Sequence, residues 1–213
     1  MKIYGNTMSP AVLKVLYCAN ALEARYEYVA LDMMQGDHQS EQYKKIHPAG
    51  KVPCLVDGDF TLFESNAICK YLARQSKSEY YPVDIKAQAV VDQWTDFVSI
   101  HVQNGMSRVM FNKLIAPMIN APVDQESLKC GWEFLAKYLP VVNNQLARAK
   151  YLAGDKLTLA DFVLLATIDP AEAIELDLKP YPAIKEWREK LRTQDFYQKV
   201  HRFYGEEMAS QKA

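Results

Sequence analysis

The feature that most limits what this chain can fold into is a change of character near residue 76. Ahead of it, short segments rich in β-formers alternate with helical patterns; beyond it, strand signals nearly vanish and helical patterns fill the rest. The 213 residues suit either one large domain or two small ones. The seam favours two unequal parts: residues 1–76, a polar linker over 77–84, and an all-helical part over 85–213.

In the first part, Lys2-Ile3-Tyr4 reads as a strand. Val12, Leu13, Val15, Leu16, Ala19 and Leu22 then form one apolar helical stripe, with Ser9 and Pro10 as start signals. A second strand is expected at Tyr26–Leu31, a short helix near Ser40–Ile46 and a third strand at Lys51–Val56. Asp57-Gly58-Asp59 signals a hairpin into a fourth strand at Phe60–Phe63, followed by a helix from about Glu64 to Arg74. The order β-α-β-α-β-β-α is that of a thioredoxin-like α+β domain, although order alone fits other α+β folds. Beyond the linker, helices are expected near 85–115, 124–150, 158–174, 181–192 and 194–208, as an all-α bundle. Pro140 is expected to kink the second of them.

Charge and cysteine usage narrow the function classes. Twenty-five basic residues balance 26 acidic ones, for a net charge of −1, which argues against nucleic-acid binding or a polybasic membrane surface. No basic n-region precedes an apolar stretch at the N-terminus, and no run of 18 apolar residues occurs, so an unexported, cytoplasmic chain is expected. Cys18, Cys54, Cys69 and Cys130 are well separated, without a Cys-x-x-Cys pair, and are expected as buried, reduced thiols. No metal site is expected.

Four local signatures, in order, resemble the cytosolic glutathione S-transferases over nearly the whole chain. Tyr4-Gly5-Asn6-Thr7-Met8-Ser9 resembles the first-strand-to-helix turn of serine-type members, phi- or theta-like and of bacterial type. Glu64-Ser65-Asn66-Ala67-Ile68, following His47-Pro48-Ala49-Gly50-Lys51-Val52-Pro53, is similar to the glutathione-binding half. Tyr151-Leu152-Ala153-Gly154-Asp155 with Leu157-Thr158-Leu159-Ala160-Asp161 resembles the buried capping motif, and Tyr181-Pro182-Ala183-Ile184-Lys185-Glu186-Trp187 the late helix.

The resemblance implies an enzyme that conjugates glutathione, its co-substrate, to hydrophobic electrophiles, works as a homodimer and needs no metal. A free thiol of pKa about 8.5 is only ~3% ionised at pH 7; lowering it to about 6.5 gives ~75% thiolate for about 2.7 kcal/mol. A hydroxyl at a helix N-terminus can supply this. Ser9 is the catalytic candidate, with Thr7 and Asn6 the other polar side chains of its turn; by itself Ser9 reads more simply as a helix cap.

For glutathione binding, the resemblance implies a cis Val52-Pro53 bond whose Val52 backbone pairs with the tripeptide like an added strand. Glu64 and Ser65 suit the γ-glutamyl ammonium and carboxylate. Lys51 and His38 are candidates for the glycine carboxylate, and His47 has no assigned role. Thr158-Leu159-Ala160-Asp161 reads as a structural capping box. The acceptor cavity is expected between the domains, from the Met8 loop and the helix carrying Trp94, Phe97, Met106, Met110 and Phe111. A non-catalytic glutathione-binding protein and a glutathione-dependent peroxidase or oxidoreductase remain as alternatives.

Overall fold

The computed structural model describes residues 1–206; the end of the helix expected over 194–208 and of the part expected over 85–213 lies outside the described residues. The first half holds a four-stranded mixed sheet: β1 (Lys2–Gly5), β2 (Glu27–Ala30), β3 (Cys54–Asp57) and β4 (Phe60–Phe63), in spatial order β2-β1-β3-β4. β1 runs parallel to β2 and antiparallel to β3, which pairs antiparallel with β4 through a two-residue turn at Gly58-Asp59. Helices α1 (Pro10–Ala21), α2 (Glu41–Lys44) and α3 (Ser65–Gln75) complete the thioredoxin-like arrangement.

Pro10 opens α1 where its missing N–H costs nothing, and the apolar run from Val12 to Ala19 is buried on every face, Lys14 included. A helix apolar all round needs cover all round, and α1 finds it against α3 on one side and against helices of the second half on the other. Gly5, at the end of β1, permits this closeness: a Cβ there would lie 2.6 Å from Val12 Cγ1.

The second half is helical. A continuous helical run holds α4 (Ile85–Phe97), α5 (Gln103–Met110) and α6 (Ala116–Met118), joined by π-helical turns at Val98–Val102 and Phe111–Ile115. It ends three residues beyond the expected limit. Asp84 caps α4 by accepting from the Ala87 amide at 2.8 Å. Helix α7 (Gln125–Leu146) stays helical through Pro140, and crosses α5 where Gly105 faces Gly131. Helices α8 (Leu159–Ile168), α9 (Pro182–Arg192) and α10 (Asp195–Gln198) follow. The expected 158–174 helix stops at Ile168, passing into a 3-10 turn at Asp169–Ala171 that contains Pro170.

All ten residues of α8 are buried, which makes it the axis of the helical half. Its first turn is held as the capping-box pattern implies. Asp161 Oδ2 accepts from the Thr158 amide at 2.9 Å and hydroxyl at 3.1 Å, and Oδ1 from the Leu152 amide at 3.0 Å and Trp187 Nε1 at 3.2 Å. Burial raises the Asp161 carboxyl to about 6, while the four donors pull it down.

A second buried polar cluster ties the halves together. Asp169 accepts from the hydroxyls of Tyr17 on α1 (2.7 Å) and Tyr197 on α10 (2.9 Å), and lies 2.9 Å from His201 Nε2. The segment expected as a linker is itself packed. The Tyr80 carbonyl accepts from the Leu159 amide at 2.9 Å, and the Tyr80 ring sits edge-on to Phe162. Cys18, Cys54 and Cys69 are buried free thiols, but Cys130 is only half-buried, because it lies off the face that α7 turns to the core.

Candidate active site

The register of the sheet gathers the candidate residues at one edge. Tyr4 lies opposite Cys54, and Cys54 opposite Phe63, while Gly5 pairs with Ala30. The turn after β1, the loop after β2, the approach to β3 and the exit from β4 therefore meet at the same end. Ser9, His38, Lys51, Val52, Pro53, Glu64 and Ser65 all come from these four stretches.

Ser9 stands at the N-cap of α1 with extended backbone, φ −93° and ψ 116°, but its side chain makes no capping hydrogen bond. Ser9 thus holds the cap position through its backbone and not through its side chain. Its carbonyl accepts from the Val12 and Leu13 amides, and Ser9 lines a cavity of about 580 Å³. Asn6 holds the turn: its Nδ2 donates to the Leu31 carbonyl at 3.0 Å, and its Oδ1 accepts from the Met8 amide at 3.0 Å. The Met8 carbonyl accepts from the Tyr204 hydroxyl at 2.7 Å, so a residue near the far end of the described chain anchors the loop beside Ser9.

The Val52-Pro53 bond is cis. The β3 ladder begins only at Cys54, leaving the Val52 N–H and C=O unpaired among the described residues. Lys51 is exposed, its carbonyl accepting from the Tyr43 hydroxyl at 2.7 Å. His47 is buried between the rings of Tyr43 and Phe63, and burial lowers its pKa.

Glu64 precedes α3 at φ 70°, a left-handed conformation unusual for a side-chain-bearing residue. It accepts through its carbonyl from the Ile68 amide, so the amides of Ser65, Asn66 and Ala67 stand free of the helix ladder at this N-terminus. Beneath them lies Lys14, 4% exposed, whose Nζ donates to Asn66 Oδ1 at 3.1 Å; Asn66 Nδ2 donates in turn to Ser99 Oγ at 2.9 Å. Burial lowers the Lys14 amine to about 8, with nearby Cys69 and Glu64 pulling it up. Lys14 did not stand out by motif; its one signal is a position between Leu13 and Val15 inside an uninterrupted apolar run.

Ser9 and His38 share the cavity, whereas Lys51–Pro53 and Glu64-Ser65 do not line it. The Nδ1 atom of His38 is buried without a hydrogen-bond partner among the described residues. The acceptor wall differs from expectation. Met8 and Met110 line the cavity, but Trp94, Phe97, Met106 and Phe111 do not: Trp94 and Met106 are buried, and Phe111 is exposed elsewhere. Met33 and Met34 from the loop after β2, and Ile115, Met118 and Ile119 at the end of the long helical run, take their place. Among the described residues no group of three or more His, Cys, Asp or Glu side chains could hold a metal ion, and no helix is long and apolar enough to cross a membrane.

Two family profiles match the chain: "Glutathione S-transferase, N-terminal domain" over residues 1–74 and "Glutathione S-transferase, C-terminal domain" over residues 108–195. A probable glutathione S-transferase GSTF2 of Oryza sativa subsp. japonica is 36% identical, across 94% of this chain and 95% of its own. Glutathione S-transferase 1 of Zea mays is 37% identical with the same coverage. A solved structure of glutathione S-transferase-I bound with the ligand lactoylglutathione is 34% identical, with TM-score 0.85, covering 93% of this chain and 97% of that one. The two sequence relatives are plant proteins and lend no support to a bacterial type.

Proposed function

As the chain belongs to the glutathione S-transferase family, we propose that it binds glutathione along the sheet edge, ionises its thiol against Ser9, and conjugates the thiolate to apolar electrophiles in the adjoining cavity. The observation that carries this reading is Ser9 itself, placed at the start of α1 with a hydroxyl that makes no capping hydrogen bond, and lining a methionine-rich cavity. A hydroxyl donating to sulfur favours the thiolate, and the positive end of α1 adds to it.

Val52 pairs its free N–H and C=O with the cysteinyl backbone of the tripeptide, beside Pro53. Ser65 and the first amides of α3 take the γ-glutamyl carboxylate and Glu64 the ammonium, while Lys51 and His38 take the glycine carboxylate. The binding half spans residues 1–76, residues 77–84 connect, and 85–213 supply the acceptor wall. The class is serine-type and phi- or theta-like. The protein works in the cytoplasm as a homodimer; exposed Phe60, Phe63 and Ile100 support a covered face.

The catalytic step is thiolate activation combined with proximity: the sulfur lone pair attacks the electrophilic carbon, and either a leaving group departs with its bonding pair or a π pair shifts to a neighbouring atom that is then protonated. Ser9→Ala is expected to lower conjugation of a model aryl halide at least about tenfold while the protein is still retained on glutathione resin. Unchanged turnover in that variant would refute the assignment. Retention without activity of the unmodified protein towards several electrophile classes would point to a binding protein.

A further inference from the structure

The cavity carries a polar feature that the thiolate chemistry does not use. Gln103 and Ser107 lie one turn apart on α5 and both line the cavity that contains Ser9. Thr167, wholly buried on α8, donates its hydroxyl to Gln103 Oε1 at 2.9 Å. With its oxygen engaged, the amide turns its nitrogen to Ser107, and Nε2 donates to Ser107 Oγ at 3.3 Å. The Ser107 hydroxyl hydrogen then meets no acceptor among the described residues. A hydroxyl that accepts a hydrogen bond is also polarised into a better donor.

The other polar side chains of the wall are engaged differently. The Asn6 amide donates to the Leu31 carbonyl after β2 and accepts from the Met8 amide, and Asp32 offers only a carboxylate, already accepting from the Met34 and Gln35 amides. Ser9 is committed to sulfur and His38 to the tripeptide in the reading above. Of the two hydroxyl-bearing residues that line the cavity, Ser9 and Ser107, Ser107 is the one left to donate its O–H to an electrophile, beside methionine and isoleucine.

Building on the transferase reading, we propose that Ser107 is a catalytic hydrogen-bond donor that suits this cavity to α,β-unsaturated carbonyl electrophiles, with Gln103 and Thr167 as its positioning residues. The thiolate lone pair forms a C–S bond to the β-carbon. The C=C π pair moves to the bond between the α-carbon and the carbonyl carbon, and the C=O π pair moves onto oxygen, giving an enolate. Ser107 donates to that oxygen, and the bond strengthens as charge builds there. Water then delivers a proton to the α-carbon and the carbonyl reforms, which balances the proton that glutathione lost on ionisation. An alkyl halide expels halide at carbon and develops no such oxygen charge.

The test compares kcat/KM for benzylideneacetone, an enone, with that for benzyl chloride, both with glutathione. In Ser107→Ala the enone-to-halide ratio is expected to fall about tenfold or more, chiefly through kcat. Ser107→Thr, which keeps the hydroxyl, is expected to restore most of it. Thr167→Val, which frees Gln103 without touching the cavity, is expected to lower the ratio about threefold, again in kcat. An unchanged ratio in Ser107→Ala, or an equal loss in Ser107→Ala and Ser107→Thr, would overturn the proposal. Failure of the underlying reading looks different: Ser9→Ala would then leave both rates untouched, whereas its success lowers both together and preserves the ratio.

Discussion

Lys14 shows how one side chain can cost stability and still serve the site. Its ammonium is buried beneath the N-terminus of α3 with Asn66 as its hydrogen-bond partner, and burial brings its pKa from 10.5 to about 8. A depressed amine pKa means that between those values the unfolded chain holds a proton the folded one has released. Stability therefore rises with pH through that window, and near neutrality the folded protein carries the charge at a desolvation cost. Lys14→Met is expected to stabilise the protein by roughly 2 kcal/mol at pH 7, with the gain shrinking to under about 1 kcal/mol at pH 10. Urea unfolding at the two pH values measures it, and a loss of stability at pH 7 would contradict it. Residues with local signals were legible in the sequence, such as Ser9 before Pro10, the Val52-Pro53 step and Ser65 at a strand-to-helix junction. Lys14, Gln103 and Ser107 were not, since their roles depend on partners 52, 64 and four residues away.

Among the elements, α5 and α7 pack most closely, and two glycines set the distance. A Cβ on Gly131 would sit 2.9 Å from Arg108 Cβ and from Val109 Cγ2, closer than real side chains approach, and 3.0 Å from the Gly105 carbonyl oxygen, a tight contact with backbone. Gly131→Ala is therefore expected to cost about 1–3 kcal/mol, despite the better helix propensity of alanine, by forcing the two helices apart. A rise in the thermal midpoint would refute this. Because α5 carries Gln103, Ser107 and Met110, its separation from α7 also bears on the acceptor wall. The elements themselves were readable from periodicity and from Pro, Gly and Asp punctuation. The misassigned aromatic wall has a simple cause: a helical stripe identifies side chains that turn inward together, but cannot tell a core from a cavity. The π-helical turns at Val98–Val102 and Phe111–Ile115 also shift the register of the long run, and nothing in its apolar spacing announces them.

At the scale of the molecule, the two halves share a core. Helix α1 belongs by sequence to the sheet, yet it packs against α8 and α10 and donates Tyr17 to the buried Asp169 cluster, so the halves are held by polar as well as apolar contacts. The proposed homodimer is an assembly of these combined bodies, and light scattering at micromolar concentration is expected to give twice the 24.3 kDa chain mass. A reading near the single-chain mass would exclude it. The hydrogen bond from Tyr204 to the Met8 carbonyl has a consequence in time. A growing chain emerges from the ribosome with its strands, its Ser9 turn and its Val52-Pro53 step first, while the anchor of that turn follows 196 residues after Met8. The sheet can form early, but the turn beside Ser9 gains this hold only once Tyr204 has been made, so a chain cut short before Tyr204 lacks that anchor however complete its binding edge.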